Sequence, residues 1–337
     1  MTEPLVSTII PTYNRAELIP RAIASALKES RPGDEIIVVD DGSTDRTEDV
    51  LSPFRDKVTY VRLPHAGAGV ARNQGVTRAR NELVAFLDSD DEWMPGKLEL
   101  QRRFMQNRPD VLFSFSNFAV RNSQGVEEHR YLQRWHDDSR SWDEVLGPGI
   151  LYSSVAQLPQ GCADFKVHVG DLYKSELVAN YIFTGTLMAR RKEAGDALHF
   201  GEGLATYEDW ECFGRLSRKG PAAYLDCETA WQISHPGDRL TRADILYTAT
   251  ARITLMQRVW GSDEEFLKEN EALYYQTLSH QRLLKTRGFL KQGATREARA
   301  ELEKINGAPF AYKLMAAFPP SLAMRIVKLR RMLSRGR

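Results

Sequence analysis

The chain has 337 residues, of which 42% are hydrophobic and 27% are charged, with a net charge of +1. This balance is typical of a globular protein of about two domains, and it provides no general attraction to nucleic acid. Cys162, Cys212 and Cys227 are too few and too widely spaced for a zinc knuckle or a disulfide framework, so a reducing cytoplasm is expected. Since the chain shows no secretory signal and no apolar run of about 18 residues, no membrane-spanning helix is expected.

Strands and helices are predicted to alternate along the first 120 residues. Short apolar runs are typical of buried strands, and the segments between them place apolar residues at helical spacing. Strands are expected at 5–10, 35–39, 58–63, 83–87 and 111–120, and helices at 16–28, 44–51, 69–80 and 95–107. This alternation predicts a mostly parallel α/β sheet with helices on both faces and ligands beyond the carboxyl ends of its strands.

The rest of the chain divides into a less regular part and a helical part. Periodicity fades between 121 and 183 and then returns, with a strand after 184, a helix at 208–218 and a strand at 222–225. Further on, a long helical stretch is expected at 241–287 and another helix at 295–305. We therefore predict an α/β domain over 1–240 and a helical region over 241–337.

An acidic cluster of Asp88, Ser89, Asp90 and Asp91 follows the fourth predicted strand. Carboxylates so close together repel one another, so they are expected to be solvated or neutralised by a cation. Two carboxylates spaced i and i+2 can face one Mn²⁺ or Mg²⁺ ion, and such ions commonly bridge protein carboxylates to phosphates. The alternative is an acidic N-cap for the helix that begins near Pro95.

A second acidic cluster, Asp40-Asp41-Gly42-Ser43, ends the second predicted strand. Its carboxylates could accept the N–H of a uracil ring or a ribose hydroxyl, or the cluster could simply form a turn before the next helix. Arg72 lies in the first turn of a predicted helix, where it could contact a diphosphate or pair with the acidic clusters. Residues 67–72 begin like a dinucleotide-binding loop, but Arg72 replaces the third glycine and the context is wrong.

Several segments together resemble a family 2 glycosyltransferase with the GT-A fold. The matching segments are 7–15, 35–43, 69–75, 84–91 and 207–210, and 233–237 resembles a later histidine turn of that family. The resemblance is strong over about residues 5–120, patchy over 180–240 and absent beyond. It implies that 1–120 is the nucleotide-sugar half and 121–240 the acceptor half of one GT-A domain with a Rossmann-like sheet.

The resemblance also assigns roles to individual residues. Asp209 would be the general base, with Glu208 as its neighbour and second choice. Asp90 would be the principal ligand of Mn²⁺ or Mg²⁺ together with Asp88, and His235 could complete the metal or diphosphate site. The residues that would bind the nucleotide sugar are Pro11, Thr12, Tyr13, Arg15, Asp40, Asp41, Arg72, Asp88 and Ser89. As alternatives, Glu208 and Asp209 could merely charge the first turn of a helix, and His235 could be a surface-loop residue.

The implied reaction transfers a sugar, with inversion, from a nucleoside diphosphate donor to a saccharide or lipid-linked acceptor. A UDP-sugar is the favoured donor, and polysaccharide or glycolipid assembly of the bacterial type is the expected setting. A nucleotidyltransferase of similar fold is one alternative, although residues 11–15 stand where its glycine-rich phosphate loop would be. A non-catalytic nucleotide-sugar-binding protein is the other, but it would be expected to have lost the acids of the two motifs.

A basic segment ends the chain. After Glu303 there is no acidic residue, while lysines and arginines accumulate. Apolar residues fall on one stripe of a predicted helix, namely Leu322, Ile326, Leu329 and Leu333. A basic amphipathic helix of this kind can lie on an anionic membrane surface, which would place 321–337 of a cytoplasmic enzyme at the inner face of the cell membrane. The alternative is a helix packed on its own domain.

Overall fold

The computed structural model describes residues 3–136, 138–204, 206–234 and 244–317. His235 and the basic segment 321–337 therefore lie outside the described residues. The chain forms two compact units, one of residues 1–203 and 208–237 and the other of residues 204–207 and 238–337. Within the described residues, no helix has both the length and the apolar character that are needed to cross a bilayer.

The first unit contains one mixed sheet with helices packed around it. Its strands are β1 Val6–Thr12, β2 Glu35–Asp40, β3 Thr59–Arg62, β4 Leu83–Phe86, β5 Glu92–Trp93, β6 Phe113–Arg121, β7 Glu127–Glu128, β8 Ile150–Leu151, β9 Lys166–Gly170, β10 Met188–Arg190 and β11 Ala222–Ile233. Its helices are α1 Ile19–Glu29, α2 Thr47–Val50, α3 Ala68–Arg78, α4 Lys97–Asn107, α5 Leu132–Trp135, α6 Trp142–Val145, α7 Tyr173–Val178, α8 Arg191–Ala194 and α9 Glu208–Lys219.

The strand order is β3-β2-β1-β4-β10-β6-β11-β9-β8, with β5 paired to β11 and β7 paired to β6. The strands β1 to β4 pair in parallel, β10 runs antiparallel to both of its neighbours, and β11 is parallel to β6. The carboxyl ends of β1, β2, β4, β6 and β11 therefore meet at one edge of the sheet. The segment that leads into β10 reaches the same edge, because β10 runs in the opposite direction.

The central strands explain why the first third of the chain could be read from its pattern. All seven residues of β1 are buried, and β2 is buried from Ile36 onward. Parallel strands covered on both faces are rich in valine and isoleucine, as the 36–39 run of β2 is and as Val6, Ile9 and Ile10 of β1 are. The expected mostly parallel sheet is confirmed, and each strand and helix predicted up to residue 120 is present with ends that differ by a few residues.

Two expectations further along the chain need correction. The strand predicted at 222–225 extends to Ile233, and its pairing register to β6 shifts on either side of Glu228. These irregularities interrupt the apolar pattern, so only the start of the strand was visible. The helical stretch predicted at 241–287 is two helices, because the chain breaks after Val259 and Asp263 caps a new helix by accepting the N–H of Phe266.

The second unit is helical in its described residues. Its helices are α10 Ile245–Val259, α11 Glu264–Lys291, α12 Thr295–Leu302 and α13 Phe310–Ala317. The ends of the last three helices share a small apolar core that includes Leu290, Leu302 and Ala316. The nearly buried carboxylate of Glu301 pairs with Arg282, at 2.6 Å, and with Lys285 and Lys304.

Glycines bring α3 close to β1 and to the segment before α9. A Cβ atom at Gly75 would collide with the side chain of Ile9, and one at Gly69 would lie 2.7 Å from the carbonyl oxygen of Gly201. Because neither position tolerates a larger side chain, the helix lies directly on its neighbours. This close packing fixes the position of Arg72 on α3.

Candidate active site

The loop after β1 is held at the carboxyl edge of the sheet by Asn14. Its backbone adopts φ +50°, a left-handed conformation that asparagine tolerates better than most residues. The side-chain oxygen of Asn14 accepts the backbone N–H of Thr44 at 2.7 Å. The backbone N–H of Asn14 donates to the Ser43 hydroxyl at 2.9 Å. The loops after β1 and β2 therefore form one unit.

The first four predicted nucleotide-binding residues lie at the end of β1 and in this loop. Pro11 and Thr12 end β1 and are buried. Tyr13 is 39% exposed, and its ring stacks on that of His65 with a centroid distance of 4.2 Å. Arg15 lies 3.9 Å from the carboxylate of Asp90. The structure thus brings Arg15 to the acidic cluster after β4, a contact that the sequence did not indicate.

Asp40 and Asp41 are buried and hold backbone in place. Asp40 is fully buried and accepts the N–H of Ser43 at 2.8 Å and the hydroxyl of Tyr60 at 2.7 Å. The two carboxylate oxygens of Asp41 accept the N–H groups of Ala66 and Gly67, each at 2.8 Å. The turn that the sequence offered as an alternative is therefore present, and a nucleotide contact of Asp40 or Asp41 stays a prediction.

Arg72 joins two motifs that are far apart in the sequence, the acidic cluster after β4 and the start of α9. Its guanidinium donates to Asp88 at 2.7 Å and to Glu208 at 2.9 Å, and it lies 5.2 Å from the ring centre of Phe200. Burial alone would lower the pKa of Arg72, but the charges of Asp88, Glu208 and Asp209 outweigh it and raise that pKa. Arg72 is therefore a permanent cation, 7% exposed, between carboxylates.

The cluster after β4 has exposed and buried members. Asp91 is buried and accepts the N–H of Ile233 at 2.9 Å, which ties the cluster to β11, and Ser89 is also buried. Asp88 and Asp90 remain about one quarter exposed. Burial raises the pKa of the Asp88 carboxyl, Arg72 opposes that shift, and the nearby charge of Asp90 adds to it. The two carboxylates thus act on each other electrostatically.

The alternative role of this cluster as an N-cap is wrong. The short strand β5 follows the cluster, and α4 begins after Gly96, which takes a left-handed conformation and provides no side-chain cap. The acids of this cluster therefore do not cap α4.

Asp209 lies at the start of α9, next to Glu208. Its carboxylate accepts the hydroxyl of Thr184 at 3.0 Å and the backbone N–H of Trp210 at 2.7 Å. Burial and the neighbouring charge of Glu208 raise the pKa of Asp209 to about 6, although Arg72 and the two hydrogen bonds act in the opposite direction. A carboxylate with a pKa near neutrality is suited to accept a proton from a hydroxyl.

The donor atoms at Asp88 and Asp90 fit a hard divalent cation in part. Both residues provide carboxylate oxygens, the ligand type that Mg²⁺ and Mn²⁺ prefer, and they are spaced i and i+2. Among the described residues, however, no group of three or more histidine, cysteine, aspartate or glutamate side chains is arranged to hold a metal ion. The coordination of an ion at Asp88 and Asp90 would therefore have to be completed by oxygen atoms of a bound diphosphate. His235, which was expected to contribute, lies outside the described residues.

Three residues that the sequence did not single out help to build this site. Asn73 on α3 binds the backbone of Phe200 in both directions, donating to its oxygen at 3.0 Å and accepting its N–H at 2.8 Å. Thr184 contacts Asp209, and Phe200 lies against Arg72. Asn73 lies inside one of the matching segments, whereas Thr184 and Phe200 lie in none of them.

Comparison with known proteins agrees with this arrangement. Residues 7–150 match the family described as Glycosyl transferase family 2. A Bacillus subtilis protein named for teichuronic acid biosynthesis, TuaG, is 39% identical over 153 residues, which are 44% of this chain and 60% of that protein. An uncharacterized glycosyltransferase of Rickettsia felis is 35% identical over 46% of this chain and 25% of its own length.

The chain thus spans between a quarter and about three fifths of the length of these two relatives. Among solved structures, residues 1–349 of S. aureus TarS in complex with UDP-GlcNAc match with a TM-score of 0.61 and 19% identity, covering 89% of this chain and 81% of that one. This likeness supports the GT-A fold that the sequence predicted.

Proposed function

We propose that the chain is an inverting glycosyltransferase that moves a sugar from a nucleoside diphosphate sugar to an acceptor hydroxyl. The observation that carries this proposal is the pair of contacts by which Arg72 joins Asp88 to Glu208, with Asp209 alongside. The contacts unite the acidic cluster after β4 with the start of α9. Charge stabilisation for a leaving diphosphate and a proton acceptor for the attacking hydroxyl are thereby available in one place.

The residues divide the chemistry between them. Asp209 accepts the proton of the acceptor hydroxyl as its oxygen attacks the anomeric carbon from the face opposite the diphosphate, so a single displacement inverts the configuration. Arg72 places a fixed positive charge beside the carboxylates. Asp88 and Asp90 would hold Mn²⁺ or Mg²⁺, which, when bound, offsets the charge that develops on the departing diphosphate.

UDP-sugar is the proposed donor class, and a saccharide or lipid-linked saccharide is the proposed acceptor. The UDP-GlcNAc complex of the TarS structure supports this donor class, and the teichuronic acid name of the Bacillus relative supports a role in polysaccharide assembly. The stacked rings of Tyr13 and His65 provide an exposed flat surface on which a nucleobase could lie.

Association with an anionic membrane surface through 321–337 is part of the proposal. The described helix α13, which precedes that segment, carries Phe310 at 76% and Leu314 at 45% exposure, one helical turn apart. Exposed apolar residues beside a basic segment favour an interfacial location. Deletion of 319–337 should reduce co-sedimentation with vesicles that contain anionic lipid; equal co-sedimentation of the shortened chain would refute the association.

A screen of nucleotide sugars with Mn²⁺ tests the transferase proposal. Release of nucleoside diphosphate from one donor, or a few, is expected, and it should be lost in Asp209→Asn when an acceptor saccharide is present. In a parallel assay with a nucleoside triphosphate and a sugar 1-phosphate, release of pyrophosphate would instead indicate a nucleotidyltransferase. Binding of donors without any release would indicate a non-catalytic nucleotide-sugar-binding protein.

A further inference from the structure

An aromatic cluster lies beside the proposed base. The rings of Phe118, near the carboxyl end of β6, and Phe183 are buried and stack on each other with a centroid distance of 4.3 Å. The residue after Phe183 is Thr184, whose hydroxyl binds Asp209 at 3.0 Å. Consecutive residues therefore make the ring contact of the aromatic cluster and the contact with the proposed base.

Tyr131 and Trp135 cover this buried pair, and we call these two residues the aromatic platform. Trp135 packs edge-on against Phe118 and Phe183 at centroid distances of 5.6 Å and 6.1 Å, and Tyr131 lies 5.6 Å from Phe118. Both rings of the platform are half-buried. Each ring therefore packs on buried aromatic side chains, while part of its surface remains in contact with solvent.

The backbone beneath the platform is fixed. The buried side-chain oxygen of Asn117 accepts the N–H groups of Phe118 at 2.9 Å and Leu132 at 3.1 Å. The N–H of Tyr131 donates to the carbonyl oxygen of Phe118 at 2.9 Å. Because the start of α5 is attached to β6 at these points, the platform would lose little conformational entropy when a ligand binds.

The polar groups of the platform differ in their hydrogen bonding from those of the buried tryptophans in the same unit. Trp93 donates its indole N–H to Gly185 at 2.8 Å, and Trp210 donates to Glu176 at 2.9 Å. Over the residues that the structure describes, neither the indole N–H of Trp135 nor the hydroxyl of Tyr131 makes such a bond. The polar edges of both half-buried rings are therefore available to a ligand or to water.

We propose that Tyr131 and Trp135 bind the acceptor saccharide and help to select it. A sugar ring has an apolar face of C–H groups and a rim of hydroxyls, which matches a flat ring with a donor group at its edge. The location beside Thr184 and Asp209 would direct an acceptor hydroxyl toward the base. This inference rests on the proposed function, because it assigns the acceptor side of the same site.

Glycan-array binding and donor hydrolysis by water, both measured on the full chain, separate the two proposals. The variants are Trp135→Leu and Tyr131→Leu, with Tyr247→Leu as the matched control because Tyr247 is an exposed tyrosine of the second unit. We expect the platform variants to bind the saccharides that the wild type recognises roughly three- to tenfold more weakly. Donor hydrolysis should stay at the wild-type rate in all three.

Trp135→Phe is a second variant that separates loss of binding from loss of folding. It keeps a ring against Phe118 and Phe183 but removes the indole N–H. It should show an intermediate loss of saccharide binding and normal donor hydrolysis. If the wild type hydrolyses donor but binds no saccharide on the array, or if the platform variants bind as the wild type does, the platform is refuted while the transferase proposal stands. Absence of both hydrolysis and transfer in the wild type would instead refute the proposed function.

Discussion

The acidic clusters after β2 and β4 have similar sequences but different surroundings. Asp40 and Asp41 are buried and accept hydrogen bonds from backbone N–H groups and from Tyr60, so their oxygens stabilise loops. Asp88 and Asp90 keep part of their surface and face arginine side chains. In this chain the bonding partners of the carboxylates therefore distinguish the cluster that holds backbone from the cluster that faces arginine side chains.

The largest effect should come from a carboxylate outside both clusters. Asp209→Asn removes the proposed proton acceptor but keeps the size of the side chain, so transfer should fall by roughly 10²- to 10⁴-fold. Donor affinity should remain at the wild-type value, as measured by calorimetry. Asp196→Asn, at an exposed position, serves as the control. Near-normal turnover by Asp209→Asn would exclude it as the base.

The exposed cluster should govern metal-dependent binding. Asp90→Ala removes a proposed ligand, so UDP affinity in the presence of Mn²⁺ should fall roughly 10- to 100-fold, whereas binding in EDTA should not change. Calorimetry with both proteins measures this difference. Glu92→Gln is the matched control, because it removes a nearby charge that pairs with Arg21. Equal Mn²⁺-dependent affinity in Asp90→Ala and wild type would count against the metal site.

The buried cluster should govern stability instead. In Asp41→Asn the new amide group faces a backbone N–H of Ala66 or Gly67, so one donor is left unsatisfied and the free energy of unfolding should fall by about 1–3 kcal/mol. Urea denaturation measures this loss. Asp56→Asn, an exposed position, should be neutral. If Asp41→Asn has normal stability, the clusters do not differ as the structure indicates.

The smallest effect should be a shift in pH dependence. The rate of transfer should rise with pH as Asp209 loses its proton near its pKa of about 6, because only the carboxylate accepts a proton. The Thr184 hydroxyl stabilises the charged form, so Thr184→Val should raise that pKa and move the acidic limb of the kcat/KM profile to higher pH.

Thr186→Val is the control for this profile, since the Thr186 hydroxyl lies in the same turn and donates to Phe183. It should leave the acidic limb unchanged. Identical profiles for the two valine variants would show that Thr184 has no influence on the proposed base.

Much of the fold and of the motif content was accessible without coordinates. Buried parallel strands are mostly apolar, so β1, β2 and β4 stand out from the helices between them. The acids after β2 and β4 then had to lie at one edge, because parallel strands end there. The region between 121 and 183 could not be read, because its elements are short and their pairing depends on residues far away in the chain.

The sequence by itself determined the order of strands and helices in the first third of the chain and the residue types at the carboxyl edge of the sheet. Only the tertiary structure decided which carboxylates face backbone N–H groups and which face Arg15 or Arg72. It also brought Thr184 to Asp209 and placed the aromatic platform, Tyr131 and Trp135, nearby. The physical reason is that apolar periodicity is a local property, whereas a hydrogen bond between residues 72 and 208 exists only after the intervening chain has folded.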